Sequence, residues 1–174
     1  DMDGVIYRGN NLIDGAKDFV NMLLEKNVSF LFLTNNAEQT PIDLKRKLES
    51  LGIDGLEEKH FFTAAQATAK FIKTQQENGS AYVIGTGGLV SELYNIGYSI
   101  NDVNPDYVVV GKTSAFNFDM LKKAVSLINK GARFIGCNPD ITDPAPDGEL
   151  IPAVGPILSA IETATGKKPY IVGK

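Results

Sequence analysis

The chain has 174 residues, of which 43% are hydrophobic and 22% charged, with a net charge of −4. That balance fits a globular protein with a packed core, and it lacks the basic excess of a nucleic-acid binder. One cysteine, Cys137, excludes an internal disulfide and fits a reducing compartment; no apolar run reaches the roughly 20 residues of a membrane span and no charged-then-apolar leader is visible, so the expected location is the cytoplasm.

Taken in chain order, short β-branched or aromatic runs alternate with longer amphipathic stretches, the βαβα signature of a parallel-sheet α/β protein. The apolar spacing of Ala16, Phe19, Val20, Leu23 and Leu24 predicts a helix over 15–26. A buried strand is predicted over 29–33, closing in Thr34-Asn35-Asn36. Thr40 as N-cap, Pro41 at the first helical position and Gly52 as a stop predict a helix over 41–51. A further helix is expected over 64–76.

The pattern then restarts: a strand over 81–84, a turn at Gly85-Thr86-Gly87-Gly88, a helix over 89–96, a strand over 107–110, a helix over 119–130 and a strand over 133–136. Residues 138–152, rich in Pro, Asp and Gly, read as loop. A helix over 155–165 and a strand from Pro169 close the sequence. The organisation suggests a core unit, 1–63, interrupted by an inserted α/β unit, 64–150, of ordinary domain size, with 151–174 returning to the core. The sequence opens on Asp1 and stops at Lys174 inside a strand-like phrase. Both ends read as cut from a longer protein.

Three phrases carry chemistry. Asp1-Met2-Asp3-Gly4 places two carboxylates two residues apart beside a residue that permits a sharp turn. One carboxylate can attack phosphorus; the other can protonate a leaving oxygen and later deprotonate water. A divalent cation between them would offset their repulsion of a phosphate, and Mg²⁺ suits oxygen donors. Thr34-Asn35-Asn36, at a strand end, offers a hydroxyl and backbone N–H groups to phosphate oxygens, although Thr and Asn also build ordinary turns. In Ile171-Val172-Gly173-Lys174 a lysine directly follows a strand and a glycine, and its ammonium could neutralise developing charge. Each phrase alone is weak; their order along the chain, each at a strand end, is much more specific.

Together these phrases resemble the haloacid dehalogenase superfamily, and within it the phosphatases that carry a large C2-type cap. The likeness extends to Phe62-Thr63-Ala64-Ala65, Asp102-Val103-Asn104-Pro105-Asp106, and Gly131 to Ile135 leading into Asn138-Pro139-Asp140. The resemblance implies a Rossmann-like parallel-sheet core interrupted by a smaller α/β cap, Asp1 as nucleophile and Asp3 as general acid/base. It also implies Mg²⁺ on the Asp1 carboxylate and the Asp3 backbone carbonyl. Thr34, Asn35, Asn36 and Lys174 would hold the phosphoryl group, and Asn138 and Asp140 would lie on the cap's substrate-facing loop. The family's fourth, acidic motif would follow Lys174, so 174 residues alone are expected to lack a metal ligand and activity. The partner is expected to be a small phosphorylated metabolite (a nucleoside monophosphate, sugar phosphate or aryl phosphate), with no nucleic acid polymer or membrane, and a cap-mediated homodimer is an expectation from the same likeness. A phosphotransferase on the same scaffold and a non-catalytic phosphate-binding domain are the competing readings.

Other signals carry less. Gly85-Thr86-Gly87-Gly88 is an incomplete dinucleotide fingerprint, and Gly111-Lys112-Thr113 lacks the earlier glycine of a phosphate-binding loop. Asp143, Asp147 and Glu149 read as a solvated acidic loop rather than a calcium site. His60, in a charged run, reads as exposed, and Cys137 as a packed thiol.

Overall fold

The computed structural model describes residues 1–144 and 149–174; Asp147 lies outside them. The elements in order are β1 (Tyr7–Arg8), β2 (Asn11–Leu12), α1 (Ala16–Glu25), β3 (Phe32–Thr34), α2 (Pro41–Ser50), a 3₁₀ turn (Glu58–His60), β4 (Phe61–Thr63), α3 (Ala64–Gln75) and β5 (Ser80–Ile84). They continue with α4 (Gly87–Asn95), β6 (Ser99–Ile100), β7 (Tyr107–Val110), α5 (Phe118–Asn129), β8 (Arg133–Gly136), β9 (Thr142–Pro144), β10 (Leu150–Pro152), α6 (Val154–Thr165) and β11 (Tyr170–Ile171).

The main sheet is five-stranded, wholly parallel and ordered β11-β8-β7-β5-β6. Its central strand alternates as a strand covered on both faces must. Tyr107 and Val109 enter a core with Ala65, Ala69, Ile72, Leu89 and Leu93 from α3 and α4. Val108 and Val110 enter the opposite core with Leu127, Ile128, Leu158 and Ile161 from α5 and α6. The result is a three-layer unit.

A second unit is built from the first 63 residues. There β3 and β4 pair in parallel, Thr34 opposite Thr63, and β1 and β2 form a small antiparallel hairpin. Its core gathers Met2, Ile6, Tyr7, Val20, Phe32, Leu44, Leu48, Ile53 and Phe61.

The helices fall where periodicity and caps put them, within two residues at each end. The differences are local. The β3 strand is shorter than expected, and Leu31 and Leu33 are about half exposed, so it is covered on one face rather than two. Gly87 and Gly88 belong to the first turn of α4 instead of preceding it. Within the expected loop 138–152, β9 and β10 form a hairpin (Thr142 opposite Pro152, Pro144 opposite Leu150); a two-stranded ribbon tolerates proline at strand ends because outward edges need no N–H. His60 stacks on Phe30 at 4.7 Å and accepts a hydrogen bond from the Glu57 N–H, so its ring is partly covered.

The largest difference concerns 151–174. The β11 strand does not pair with the β3/β4 unit; it hydrogen-bonds in parallel to β8, Tyr170 beside Ile135. Helix α6 packs on the same sheet. Hydrophobic burial explains this: Ile157, Leu158 and Ile161 cover the β7/β8 face that α5 leaves open.

Candidate active site

The carboxyl ends of β3, β7 and β8 converge on one cleft of about 480 Å³, the place where open parallel sheets bind ligands. Asp1, Asp3, Thr34, Asn35, Asn36, Asn138 and Asp140 line it. Lys174 enters from the end of β11, its Nζ 3.0 Å from the Asp1 Oδ2. The other Asp1 oxygen accepts the Met2 N–H at 3.0 Å. Asp3 is exposed in the cleft, and its Oδ2 accepts from the Tyr7 hydroxyl at 3.3 Å. Burial pushes that hydroxyl well up, and the Asp3 charge and hydrogen bond add to the shift. The Lys47 ammonium sits 3.8 Å over the Tyr7 ring, a cation–π contact.

Asn35 joins the two units. Its amide donates to Asp140 Oδ2 at 2.8 Å and to the Lys174 carbonyl at 2.6 Å, and its Oδ1 accepts the Lys174 N–H at 3.3 Å. The buried Asn138 donates to the Asn35 carbonyl at 2.8 Å and accepts the Asp140 N–H at 3.1 Å. Thus Asn138 and Asp140 brace the Asn35 loop. Thr34 is buried, and its hydroxyl accepts the Asn36 N–H at 3.1 Å. Asn36 builds the turn, its Oδ1 accepting from the N–H groups of Glu38 and Gln39 at 2.8 and 2.9 Å; this is an Asx-type turn.

Gly173 is required where it stands. A Cβ there would lie 2.3 Å from the Cys137 carbonyl oxygen, which accepts the Gly173 N–H at 2.8 Å. This close approach carries the chain into Lys174.

Glu38 and Lys47 line the cleft and were missed by the sequence reading, as was Tyr7, whose hydroxyl meets Asp3; Lys112, weighed only as part of a phosphate-binding loop, and Asp143 are lining residues it set aside. Lys112 Nζ lies 2.7 Å from Asp143 Oδ2 and 3.4 Å from Glu38 Oε2. Burial alone would lower this ammonium, but the hydrogen bond to Asp143 and the two carboxylate charges outweigh it and hold it above its ordinary value. A usable signal existed: Val110-Gly111-Lys112 repeats Val172-Gly173-Lys174, and both phrases end strands of one sheet.

Asp1 and Asp3 offer oxygen only, which favours a hard cation. Among the described residues no three His, Cys, Asp or Glu side chains converge as a ready cage. Such a site fits an ion that keeps water and takes a phosphate oxygen, as Mg²⁺ does.

A family model described as haloacid dehalogenase-like hydrolase matches residues 1–99. The whole chain aligns at 43% identity with a dihydroxyacetone phosphatase of Corynebacterium glutamicum, spanning 62% of that protein. It aligns at 41% with the ribonucleotide monophosphatase NagD of Escherichia coli K12, spanning 67%. Among solved structures, Escherichia coli NagD superposes over the full chain with a TM-score of 0.90, 67% of it covered. A 4-nitrophenylphosphatase of Thermotoga maritima does so with a TM-score of 0.92 at 34% identity, 66% of it covered. The chain therefore spans about two thirds of the length of these relatives.

Proposed function

This chain belongs to the haloacid dehalogenase-like hydrolases, and from that premise we propose that the protein containing it is a Mg²⁺-dependent phosphomonoester hydrolase acting through Asp1. The observation that carries the reading is the Asp1–Lys174 pair, 3.0 Å apart in the cleft that Asp3, Thr34 and Asn35 also line.

The chemistry has two stages. An Asp1 carboxylate oxygen forms a bond to phosphorus while the ester P–O bond breaks, and Asp3 delivers a proton to the departing oxygen. Asp3 then takes a proton from water, whose oxygen attacks phosphorus and frees Asp1. The Lys174 ammonium offsets the charge gathered on Asp1 and the phosphoryl oxygens, and the Thr34 hydroxyl and the backbone N–H of Asn35, whose side-chain amide is engaged by Asp140 and Lys174, supply donors to those oxygens. Asp1 and Asp3 would hold Mg²⁺, which when bound supplies charge neutralisation to the phosphate. Positioning and charge are the main demands of phosphoryl transfer.

The relatives' names point to small esters: dihydroxyacetone phosphate, ribonucleoside monophosphates and, in Staphylococcus epidermidis, an acid sugar phosphatase at 37% identity. We take the same class as substrates here. The test is phosphate release by the full-length protein with Mg²⁺ across such esters, beside Asp1→Asn. The expected loss in kcat is about a thousandfold or more. Wild-type turnover by the variant would remove Asp1 from the role, and phosphate appearing on added alcohols rather than in solution would favour a transferase.

A further inference from the structure

Two strands of one sheet deliver a lysine to the cleft through the same three residues. The β11 strand ends in Val172-Gly173-Lys174 and β7 in Val110-Gly111-Lys112. Their ammonium groups meet different partners. Lys174 faces Asp1. Lys112 faces Glu38, from the loop after β3, and Asp143, from β9. One lysine is therefore held by two carboxylates, and the trio carries a net negative charge.

The trio does not lie apart from the proposed chemistry, because all three side chains line the same cleft as Asp1 and Asp3. Each is only partly exposed: 25% for Lys112, 35% for Glu38 and 33% for Asp143. The remaining charged lining groups are also engaged. Lys47 covers the Tyr7 ring, and Asp140 accepts from the Asn35 amide. Across the described lining, the carboxylates Asp1, Asp3, Glu38, Asp140 and Asp143 outnumber the ammonium groups of Lys47 and Lys112, even with Lys174, which pairs with Asp1, counted beside them. A phosphoryl group can be matched at Asp1, Asp3 and Lys174, but a second anionic group on the leaving alcohol would meet Glu38 and Asp143. To pair with Lys112 it would have to displace one of them and leave a carboxylate unpaired in a partly desolvated cleft. Hydroxyl groups meet no such conflict, since both carboxylates accept hydrogen bonds.

We propose that Lys112, Glu38 and Asp143 form a charge filter that admits phosphate esters of neutral, hydroxylated alcohols and rejects esters whose alcohol carries a second anionic group. This rests on the hydrolase reading above. Specificity arises here from a built-in repulsion rather than from added attraction.

A matched pair of esters tests it: glycerol 3-phosphate and 3-phosphoglycerate, which differ by a hydroxymethyl against a carboxylate. The readout is the ratio of kcat/KM for the acid to that for the polyol, measured with Mg²⁺ on the full-length protein. A ratio well below one is expected for the unmodified protein. Glu38→Gln and Asp143→Asn each remove the excess negative charge of the trio, leaving Lys112 matched by one carboxylate, and should raise the ratio on the order of tenfold. Lys112→Met should lower it. Circular dichroism and the midpoint of thermal unfolding establish that each variant is folded, and the two carboxylate variants are independent tests should one fail to fold. Equal or better turnover of the acid by the unmodified protein, or a ratio unmoved in both carboxylate variants, would overturn the filter alone. No phosphate release from any ester in the wider panel would sink the hydrolase reading, and the filter with it.

Discussion

At the scale of single residues, burial separates groups that could react from groups that only pack. Cys137 follows β8 and stands one residue before Asn138 of the cleft, yet its side chain is fully buried. Burial pushes its thiol up to about 12, and a hydrogen bond with Thr68 opposes this only in part. A thiol kept neutral is a poor nucleophile. Alkylation by iodoacetamide at pH 8 should therefore be negligible in the native protein and complete after unfolding, as counted by mass spectrometry. The linkage has a definite sign. The folded pKa lies above the unfolded value of about 8.5, so this contribution to stability is whole below about pH 8.5 and is lost as pH rises towards 12. The packed thiol was legible from sequence, and so was the gathering of Asp1, Asp3, Thr34, Asn35 and Lys174 in one place, because each stands beside a strand end or a turn signal. Lys112, Glu38 and Asp143 were not: their pairing spans 74 and 31 residues of chain, and no local period encodes an ion pair between distant loops.

At the scale of elements, capping was the most readable signal. Thr40 begins α2 as a full capping box: its hydroxyl accepts the Asp43 N–H at 3.3 Å, while the Asp43 carboxylate accepts the Thr40 N–H at 3.0 Å and its hydroxyl at 2.6 Å. The Thr40 hydroxyl bond, then its backbone bond, hold the Asp43 carboxyl below its ordinary value. Thr40→Ala should destabilise the protein by about 1 kcal/mol, a fall of roughly 2–4 °C in Tm for a chain of this size, measurable by calorimetry. The difference between variant and wild type should shrink as pH falls through the Asp43 pKa, because a depressed carboxyl stabilises only while ionised. Thr63 caps α3 in the same way, its hydroxyl accepting the Gln66 N–H while the Gln66 side chain accepts the Thr63 N–H. The strands that escaped notice have two or three residues each (β1, β2, β4, β6, β9 and β10), too few for an alternation of period two to register.

At the scale of the whole molecule, the sheet of residues 80–171 and the unit of residues 1–63 meet along the loop that follows β3. Glu38 is the centre of the seam. Its carbonyl accepts the Gly88 N–H at 3.1 Å and the Thr86 hydroxyl at 3.2 Å, and its carboxylate reaches Lys112. The first turn of α4 is thereby pressed onto the loop that carries Asn35 and Asn36. A Cβ on Gly88 would lie 2.6 Å from the Glu38 oxygen and 2.9 Å from the Gln39 nitrogen, whereas one on Gly87 would meet nothing within 4 Å. This contrast yields a test with opposite signs. In a helix free of neighbours, Gly→Ala is favourable by up to about 1 kcal/mol. Gly87→Ala should follow that rule and leave the protein as stable or slightly more so. Gly88→Ala should instead cost about 1–3 kcal/mol, the usual range for forcing a methyl against unyielding atoms, and here the atoms are backbone. Because the displaced loop bears Asn35, phosphate release should fall more than stability alone explains. Chemical denaturation of both variants, read beside kcat, checks the pair; equal stability of the two would mean that α4 and the Glu38 loop do not touch as described.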